Sequence, residues 1–258
     1  MSSYLEQQFG LRGKRALVTG AGRGIGRSVA LALASAGAEV AVHYFRSGPT
    51  AGEVVKQIQN TGGRAWSVCA DLTQSEAVAE MFRQLDEHWS GLDILVNNSG
   101  DLYGRSTLAD IPDDQLDATL RVNLHSTLLT TRAAVPRLSR GQQPVIVNTT
   151  SIAAHNGGVN GVSVYAAAKG GILSLTRSLA KELAPQIRVN AISPGVILTD
   201  LHRIHSKPAK LEEIAKNTPL QRNGSAEDCA AAVVFLCGPG ASFITGDCIE
   251  INGGLWMA

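Results

Sequence analysis

The chain has 258 residues, of which 44% are apolar and 17% charged, with a formal net charge of +1. This composition provides a large buried core, and its balanced charge gives no argument for a nucleic acid or an anionic membrane as partner. The first fifteen residues lack the apolar run of a signal peptide, and no stretch approaches the roughly 20 uninterrupted apolar residues of a membrane helix. We therefore expect a soluble, cytoplasmic protein without a membrane partner.

Cysteine and histidine spacing gives no sign of a metal site. Cys69, Cys229, Cys237 and Cys248 form no CxxC pair and no metal-like spacing with histidine. The six histidines are scattered, with no HxxxH pattern. We expect the cysteines to be small buried side chains and predict no catalytic metal.

Short β-branched runs alternate with longer helical patterns along the whole chain. The predicted buried strands are Ala16–Thr19, Glu39–Tyr44, Ala65–Cys69, Ile94–Val96, Val145–Thr149, Arg188–Ile192 and Cys248–Ile251. The predicted helices are Ile25–Ala36, Ala51–Thr61, Glu76–Trp89, Asp113–Leu138, Ser163–Leu183 and Glu227–Cys237. This alternation predicts an α/β fold, a doubly wound (Rossmann-type) parallel sheet with helices on both faces.

Two local signals refine this outline. Thr73 followed by Glu76 has the spacing of a capping box at the start of the third helix. The least regular stretch, Leu198–Asn223, is long enough for a substrate lid with a short helix of its own. No long linker, repeat or low-complexity tract divides the chain, so we expect residues 1–258 to form a single domain.

A glycine-rich turn follows the first predicted strand, with the sequence TGAGRGIG at residues 19–26. Glycines let the backbone turn sharply and approach a pyrophosphate, and a helix that begins near Gly24 points its free N–H groups at it. The spacing is GxxxGxG rather than GxGxxG, and its place between a strand and a helix carries most of the argument. The turn predicts a dinucleotide site that includes Gly20, Gly24, Ile25 and Gly26.

The end of the second strand favours NADP(H) over NAD. A NAD site usually has an acid there to hold the ribose hydroxyls, but this strand ends in His-Tyr-Phe-Arg46-Ser47, and its only acid, Glu39, is at the other end. Arg46 is a fixed cation with several donors, suited to a 2′-phosphate. Arg23, inside the glycine turn, is placed to approach the same group.

Tyr165 and Lys169 form a YxxxK pattern within the predicted helix Ser163–Leu183. Residues four apart share a helix face, so the phenol and the ammonium can point into one cleft. A nearby cation favours the phenolate, whose pKa of about 10 is otherwise too high for a base near neutrality. This pair therefore predicts general acid–base chemistry at a carbonyl oxygen.

Polar residues follow the ends of two predicted strands, at the edge where such sheets bind ligands. Ser151 follows Val145–Thr149, where its hydroxyl can hydrogen-bond a substrate oxygen; a serine at this position is also commonly a cap. Asn98 and Gly100 follow Ile94–Val96 at the same edge.

Together these residues resemble the short-chain dehydrogenase/reductase family, from about Arg12 to Gly254. The motifs that carry the resemblance are TGAGRGIG at 19–26, Asp71-Leu72, NNSG at 97–100, Asn123, Ser151, YAAAK at 165–169, Pro194-Gly195 with Thr199, Ile244-Thr-Gly-Asp and Asn252-Gly-Gly254. Within the family the sequence looks most similar to 3-oxoacyl-carrier-protein reductases and to sugar or polyol dehydrogenases.

The resemblance implies a role for each matching residue. Tyr165 would be the acid/base, Lys169 would lower its pKa and hold the nicotinamide ribose, Ser151 would polarise the carbonyl, and Asn123 would anchor a water relay from Lys169. The implied cofactor contacts are Gly20, Arg23, Gly24, Ile25, Gly26, Arg46, Ser47, Asp71, Leu72, Asn98, Gly100, Tyr165, Lys169, Pro194, Gly195, Ile197 and Thr199. Phe45-Arg46-Ser47, preceded by His-Tyr, also resembles the 2′-phosphate loop of pteridine reductases, which supports NADP(H) without implying a pterin substrate.

The chain departs from the family pattern at two places. Ser99 stands where alanine is usual, a small change that we expect to be tolerated. The interval from Ser151 to Tyr165 is one residue longer than is common, so Thr150 and Ser163 are alternatives to Ser151 as the residue that faces the substrate. We favour Ser151 because it lies at the strand end.

The sequence predicts an NADP(H)-dependent enzyme that interconverts a carbonyl and a secondary alcohol, most like a 3-oxoacyl-carrier-protein reductase or general ketoreductase. A sugar or polyol dehydrogenase is an alternative. An acyl-carrier partner would need a basic patch, for which Arg203, Lys207 and Lys210 are candidates. A non-catalytic dinucleotide-binding sensor would have a damaged catalytic set, which this chain does not have.

The family resemblance also implies a homotetramer formed through the two long helices and the apolar C-terminal segment.

Overall fold

A computed structural model describes residues 3–199 and 208–257. Its strands are β1 (Arg15–Val18), β2 (Glu39–Tyr44), β3 (Arg64–Cys69), β4 (Ile94–Asn97), β5 (Val145–Thr149), β6 (Arg188–Pro194) and β7 (Cys248–Ile251). They form one parallel sheet in the order β3-β2-β1-β4-β5-β6-β7. The predicted fold class is confirmed, and β2, β5 and β7 have the predicted bounds.

Helices cover both faces of this sheet. They are α1 (Tyr4–Phe9), α2 (Gly24–Ser35), α3 (Gly48–Asn60), α4 (Ser75–His88), α5 (Asp113–Leu120), α6 (Ser126–Leu138), α7 (Ala153–Asn156), α8 (Ser163–Glu182), α9 (Pro208–Asn217) and α10 (Ala226–Cys237). A π-helical turn, Arg121–His125, joins α5 to α6, and a 3₁₀ turn covers Pro239–Ala241. The predicted helix Asp113–Leu138 is therefore interrupted at its middle.

Two apolar cores lie on opposite faces of the sheet. Val29 and Leu33 of α2 pack in one core with Val233 of α10. Phe82 of α4 and Leu138 of α6 pack in the other. The central strands are buried on both faces, which explains their continuous apolar sequences. Within the part of the chain that the structure describes, no helix combines the length and the apolarity needed to cross a membrane.

Two expectations about local structure are wrong. The side chain of Thr73 does not cap α4, because its hydroxyl donates to Asp71 Oδ1 at 2.7 Å and the helix begins at Ser75 without a side-chain cap. Cys69 is exposed, because it lies on the edge strand β3, where alternate side chains face solvent. Cys229 and Cys237 are buried, as expected.

The order of the strands determines where the ligand crevice lies. The chain runs outward from β1 through β2 to β3, then returns to the other side of β1 with β4. Parallel sheets bind ligands at this switch point, beyond the carboxyl ends of the strands. The residues that follow β1, β2, β4, β5 and β6 meet there.

Candidate active site

A cavity of about 640 Å³ opens at the carboxyl edge of the sheet. It is lined by most of the predicted site residues: Gly20, Arg23, Gly24, Ile25, Arg46, Ser47, Asn98, Gly100, Asn123, Ser151, Tyr165, Lys169, Pro194, Gly195, Ile197 and Thr199. Gly26, Asp71 and Leu72 are not part of its lining. One cavity therefore joins the glycine turn to the YxxxK pair.

The glycine turn has the backbone that its sequence predicts. Gly20 and Gly24 have φ values of +62° and +55°, a region that favours glycine. A Cβ at Gly26 would lie 2.4 Å from Gly20 O, so this glycine lets α2 pack against the turn without itself reaching the cavity. No side chain caps α2, whose first residue is Gly24. Its first N–H groups therefore remain suited to an anion.

The segment after β4 is hydrogen-bonded to Thr19, at the start of the glycine turn. Thr19 Oγ1 accepts hydrogen bonds from the backbone N–H groups of Asn98 (2.9 Å) and Ser99 (3.0 Å). Asn98 Nδ2 donates to Thr19 O at 2.9 Å. The side chain of Asn98 thus holds the glycine turn and β4 together.

His43, which the sequence analysis did not single out, holds the turn from the other side. Its Nδ1 accepts a hydrogen bond from Gly20 N (3.1 Å), and its Nε2 lies 3.0 Å from Ala70 O, to which it donates. His43 is buried, and desolvation by burial lowers its pKa from 6.5 to about 4. It is therefore neutral near pH 7, with one nitrogen for each partner. Its position in β2, beside the predicted phosphate-binding residues, was the only signal in the sequence.

The arginines predicted to bind the 2′-phosphate are both exposed at the cavity rim. The Arg46 guanidinium lies 5.2 Å from the centroid of the Phe45 ring. Among residues 3–199 and 208–257, no acid lies within ion-pair distance of Arg23 or Arg46. Glu39 pairs instead with Arg64, at 3.3 Å. The rim therefore presents two cations that a phosphate can approach.

Asp71 and Leu72 do not line the cavity. The Asp71 carboxylate accepts hydrogen bonds from Thr73 N (2.9 Å) and the Thr73 hydroxyl (2.7 Å). The side chain of Leu72 is buried in the core on the α4 face. Their predicted contacts with adenine remain predictions.

Tyr165 and Lys169 lie one turn apart on α8, as predicted, with Lys169 Nζ 5.7 Å from the centroid of the phenol ring. Lys169 is buried, and its Nζ donates to Thr149 O at 3.0 Å. Desolvation by burial lowers the pKa of Lys169 from 10.5 to about 8. The lysine is therefore mainly a cation near pH 7, beside the phenol.

Ser151 and Tyr165 line the same cavity. Desolvation raises the pKa of Tyr165 above its usual value of 10, whereas the neighbouring Ser151 hydroxyl lowers it and the charge of Asp101 raises it. Ser151 Oγ also accepts from Ala153 N at 3.2 Å, so the serine has a local structural role as well. Of the alternatives, Ser163 is exposed and outside the cavity lining, whereas Thr150 is buried and contributes to it.

Asn123 lies in the π-helical turn and is fully buried. Its Nδ2 donates to Thr119 O (2.9 Å) and to Asp101 O (2.7 Å). Its Oδ1 is buried without a hydrogen-bond partner. A Cβ at Gly100 would lie 2.6 Å from that oxygen and 3.3 Å from Lys169 Nζ, so both atoms face the same small space. A π turn at a functional residue is a recurrent arrangement.

The segment after β6 completes the cofactor side. Ile197 is buried and pairs with Gly224 in an isolated bridge. The side chain of Thr199 lies 3.5 Å from where a Cβ of Gly24 would be, so it reaches the glycine turn. The predicted lid, Leu198–Asn223, continues from here. Its residues 200–207, with Arg203 and Lys207, lie outside the described residues.

The described part of the predicted lid contains α9, the short helix expected there. Lys210 and Ile214 of α9 line the cavity. Lys210 Nζ lies 2.9 Å from Glu213 Oε1 in an exposed ion pair. Helix α9 therefore contributes one paired cation and one apolar side chain to the cavity.

Comparison with known proteins places this site in a family. A family model described as Enoyl-(Acyl carrier protein) reductase matches residues 20–256. A 3-oxoacyl-acyl-carrier-protein reductase of Aquifex aeolicus is 39% identical over 252 residues, covering 95% of this chain and 98% of the relative.

Solved structures agree with the sequence matches. A 7α-hydroxysteroid dehydrogenase, complexed with NADH and 7-oxo glycochenodeoxycholic acid, superposes with a TM-score of 0.92 at 33% identity, covering 98% of each chain. A short chain dehydrogenase from Burkholderia cenocepacia, in complex with NADP, superposes with a TM-score of 0.88 at 39% identity, covering 95% of this chain and 98% of the other. With its glycine turn, its YxxxK helix and its parallel sheet, the chain belongs to the short-chain dehydrogenase/reductase family of oxidoreductases.

Proposed function

We propose that this protein is an NADP(H)-dependent oxidoreductase that interconverts a carbonyl and a secondary alcohol. The observation that carries the proposal is that Ser151, Tyr165 and Lys169 line one cavity with the glycine turn, with Tyr165 and Lys169 one turn apart on α8. This arrangement provides an acid/base, a hydroxyl for the reacting oxygen and a dinucleotide site.

The chain's own residues fit such a cofactor. The positive φ values of Gly20 and Gly24 and the uncapped start of α2 suit a pyrophosphate. The unpartnered Asn123 Oδ1, facing the same space as Lys169 Nζ, suits a relay that includes an ordered water. Hydride transfer to or from the substrate carbon is the chemistry that the bound dinucleotide supplies.

In the reducing direction, Tyr165 donates its phenolic proton to the carbonyl oxygen while Ser151 hydrogen-bonds that oxygen. The raised pKa of Tyr165 keeps the phenol protonated, ready to act as the acid. The nearby Lys169 cation stabilises the phenolate that remains. Lys169 and Asn123 then return a proton to Tyr165. In the oxidising direction the same residues act in reverse.

The preference for NADP(H) rests on Arg46, Arg23 and Ser47. Both arginines line the cavity without an acid partner among the described residues, and β2 ends without an acid for the ribose hydroxyls. A guanidinium forms strong, charge-assisted hydrogen bonds with phosphate. We therefore expect NADPH to bind more tightly than NADH.

For the substrate we propose a 3-oxoacyl thioester or a related ketone. The name of the Aquifex aeolicus relative supports this class. An acyl carrier protein would be anionic, and of the three basic candidates in the lid only Lys210 is among the described residues. Because Lys210 is already in an exposed ion pair, it offers a carrier protein little free charge. Small acyl thioesters are therefore the first substrates to test.

A sugar or polyol is the second candidate, favoured by the polar substrate side of the cavity. Asp101 and Arg105 both line it, and neither is in an ion pair with another described residue. A carboxylate and a guanidinium can hydrogen-bond several hydroxyl groups at once. An apolar acyl chain would use neither group.

The deciding experiment measures turnover with NADPH and NADH separately, against keto esters, acyl thioesters, quinones and ketoses, with Tyr165→Phe as the inactive control. We expect NADPH-dependent reduction that the variant loses, and the most active class identifies the substrate. A preference for NADH would contradict the phosphate argument alone. NADPH binding without turnover on any substrate would contradict the proposed enzyme and favour the dinucleotide-binding sensor.

We also propose a cytoplasmic homotetramer assembled through the α5–α6 and α8 helices and the C-terminal segment. Leu128 on α6 and Met257 near the C-terminus are exposed apolar side chains that such an interface would cover. Light scattering of the purified protein tests the assembly, and a monomer would refute it.

A further inference from the structure

A second cluster of potential ligands lies outside the catalytic set. His155 of α7 meets Cys248 and Glu250 of β7, and one ligand atom from each lies within 4.8 Å of the other two. Cys248 and Glu250 are two residues apart on a strand, so their side chains share one face of the sheet. The fold thus brings His155 to two residues more than ninety positions further along the chain, which is why the spacing of the three gave no metal signal.

The imidazole of His155 has an unused nitrogen. Its Nε2 is buried and lies 3.0 Å from Glu250 Oε1, yet it makes no properly directed hydrogen bond with any of the described residues. The two side chains are only 11% and 20% exposed. A buried nitrogen without a partner is costly unless something else satisfies it. A cation between the nitrogen, the carboxylate and the thiol would do so.

Neighbouring residues hold these side chains in place. Asn252 Nδ2 donates to Glu250 Oε2 at 3.1 Å, and to Trp256 O at 3.0 Å. The Trp256 ring stacks on the His155 ring, with centroids 4.0 Å apart and planes tilted by 21°. Metal ligands in proteins are typically oriented by such outer contacts. Here the C-terminal segment supplies them.

We infer that His155, Cys248 and Glu250 form a binding site for a zinc ion. Thiolate, imidazole and carboxylate are the donors that zinc takes in proteins, and three protein ligands leave a fourth position for water. Zinc–ligand distances of about 2.0–2.3 Å require ligand atoms about 3.3–3.8 Å apart. The ligand atoms reach that range if the side chains shift by about 1 Å. Binding would connect α7, two residues beyond Ser151, to the last strand of the sheet.

Binding must remove the proton of the Cys248 thiol, which passes to solvent. Burial, with the nearby charge of Glu250, raises the pKa of this thiol to about 12. A divalent cation reverses that effect, because it binds the thiolate and neutralises the carboxylate together. No other co-reactant is needed.

The test uses the full-length protein stripped with a chelator and titrated with Zn²⁺ in a calorimeter. We expect one ion per chain, with affinity reduced at least about 10-fold in Cys248→Ser and in Glu250→Gln, and about 10–100-fold in Asn252→Ala. Cys69→Ser is the matched control, because Cys69 is the exposed thiol on edge strand β3. Its affinity should equal that of the wild type.

Substitution with Co²⁺ gives a second, spectroscopic readout. A thiolate-to-cobalt absorption band in the wild-type protein, absent from Cys248→Ser and present in Cys69→Ser, would support the site. No stoichiometric binding to the wild type, or binding that survives both Cys248→Ser and Glu250→Gln, would overturn it. Loss of binding in Cys69→Ser alone would also overturn it. None of these measurements depends on the nicotinamide cofactor or on turnover.

Discussion

The two ends of the cavity are constructed in opposite ways. At the catalytic end, Asn123 and Lys169 are buried and donate hydrogen bonds to backbone carbonyls. At the phosphate end, Arg23 and Arg46 are exposed and have no acid partner among the described residues. The catalytic side chains are therefore held in place before any ligand binds, whereas the two arginines at the phosphate end are solvated.

This difference predicts that catalysis and cofactor choice depend on different residues. Groups held by buried hydrogen bonds need no reorganisation when the proton moves, so the reaction rate should depend steeply on each of them. Exposed cations are screened by water and salt, and they contribute only when a phosphate displaces that water. Substitutions at the two ends should therefore affect different kinetic constants.

The largest effect is expected for Tyr165→Phe, which removes the proton donor and leaves the ring. The turnover number should fall by about 10²–10⁴-fold, the usual contribution of general acid–base catalysis. Tyr103→Phe is the matched control, because Tyr103 is a second phenol in the same cavity. Steady-state kinetics with NADPH measures both. Equal losses in the two variants would contradict the assignment of Tyr165.

Lys169→Met should lower activity and raise stability at the same time. At pH 7 the buried cation is protonated in both the folded and the unfolded protein, and its desolvation destabilises the fold. Methionine removes that cost, so the free energy of unfolding should rise by about 1–3 kcal/mol, with turnover reduced by about 10²-fold or more. Urea unfolding and steady-state kinetics measure the two effects.

This stability difference should depend on pH. Between the folded pKa of about 8 and the unfolded value of 10.5, the unfolded state of the wild type binds more protons at this residue. The wild type therefore gains stability as pH rises through that window, and the advantage of the methionine variant shrinks. A variant that is destabilised at pH 7 would show that the bond to Thr149 O outweighs desolvation.

Arg46→Ala and Arg23→Ala should act on cofactor choice alone. Each is expected to raise KM for NADPH by about 10–100-fold, with little change in KM for NADH or in turnover number. Arg27→Ala is the control, because Arg27 lies on α2 outside the cavity lining and donates to Gln57 Oε1. If NADPH and NADH weaken equally, neither arginine binds the 2′-phosphate.

The smallest kinetic effect is expected for His43→Ala. The substitution leaves Gly20 N and Ala70 O without their partner, so the glycine turn loosens for both cofactors. KM for NADPH and for NADH should rise together by a few-fold, and the free energy of unfolding should fall by about 2–4 kcal/mol. His88→Ala, at an exposed histidine of α4, is the control. A rise in KM for NADPH alone would instead indicate that His43 contacts the 2′-phosphate.

The sequence predicted the sheet well because strands buried on both faces have continuous β-branched runs. It also predicted the pairing of Tyr165 with Lys169, since four residues make about one helical turn. These are short-range properties, and each depends on few neighbouring residues.

Features that depend on competing local partners or on distant segments could not be predicted in this way. Thr73 bonds to Asp71 instead of capping α4, because a nearby carboxylate competes for its hydroxyl. The role of His43 depends on Gly20 and Ala70, which are more than twenty residues away on either side. The meeting of His155 with Cys248 requires the complete sheet.

The π-helical turn at Arg121–His125 bears on how such an enzyme can be altered. A π turn amounts to one extra residue accommodated in an otherwise regular helix. Deleting a single residue within it would let α5 and α6 fuse into a continuous α-helix, with both flanks still in phase with their neighbours. The deletion would withdraw the Asn123 amide from Lys169 while sparing the helix packing. Under the proposed mechanism, one residue of this π turn would thus decide whether Asn123 reaches Lys169, while the flanking helical turns keep their packing.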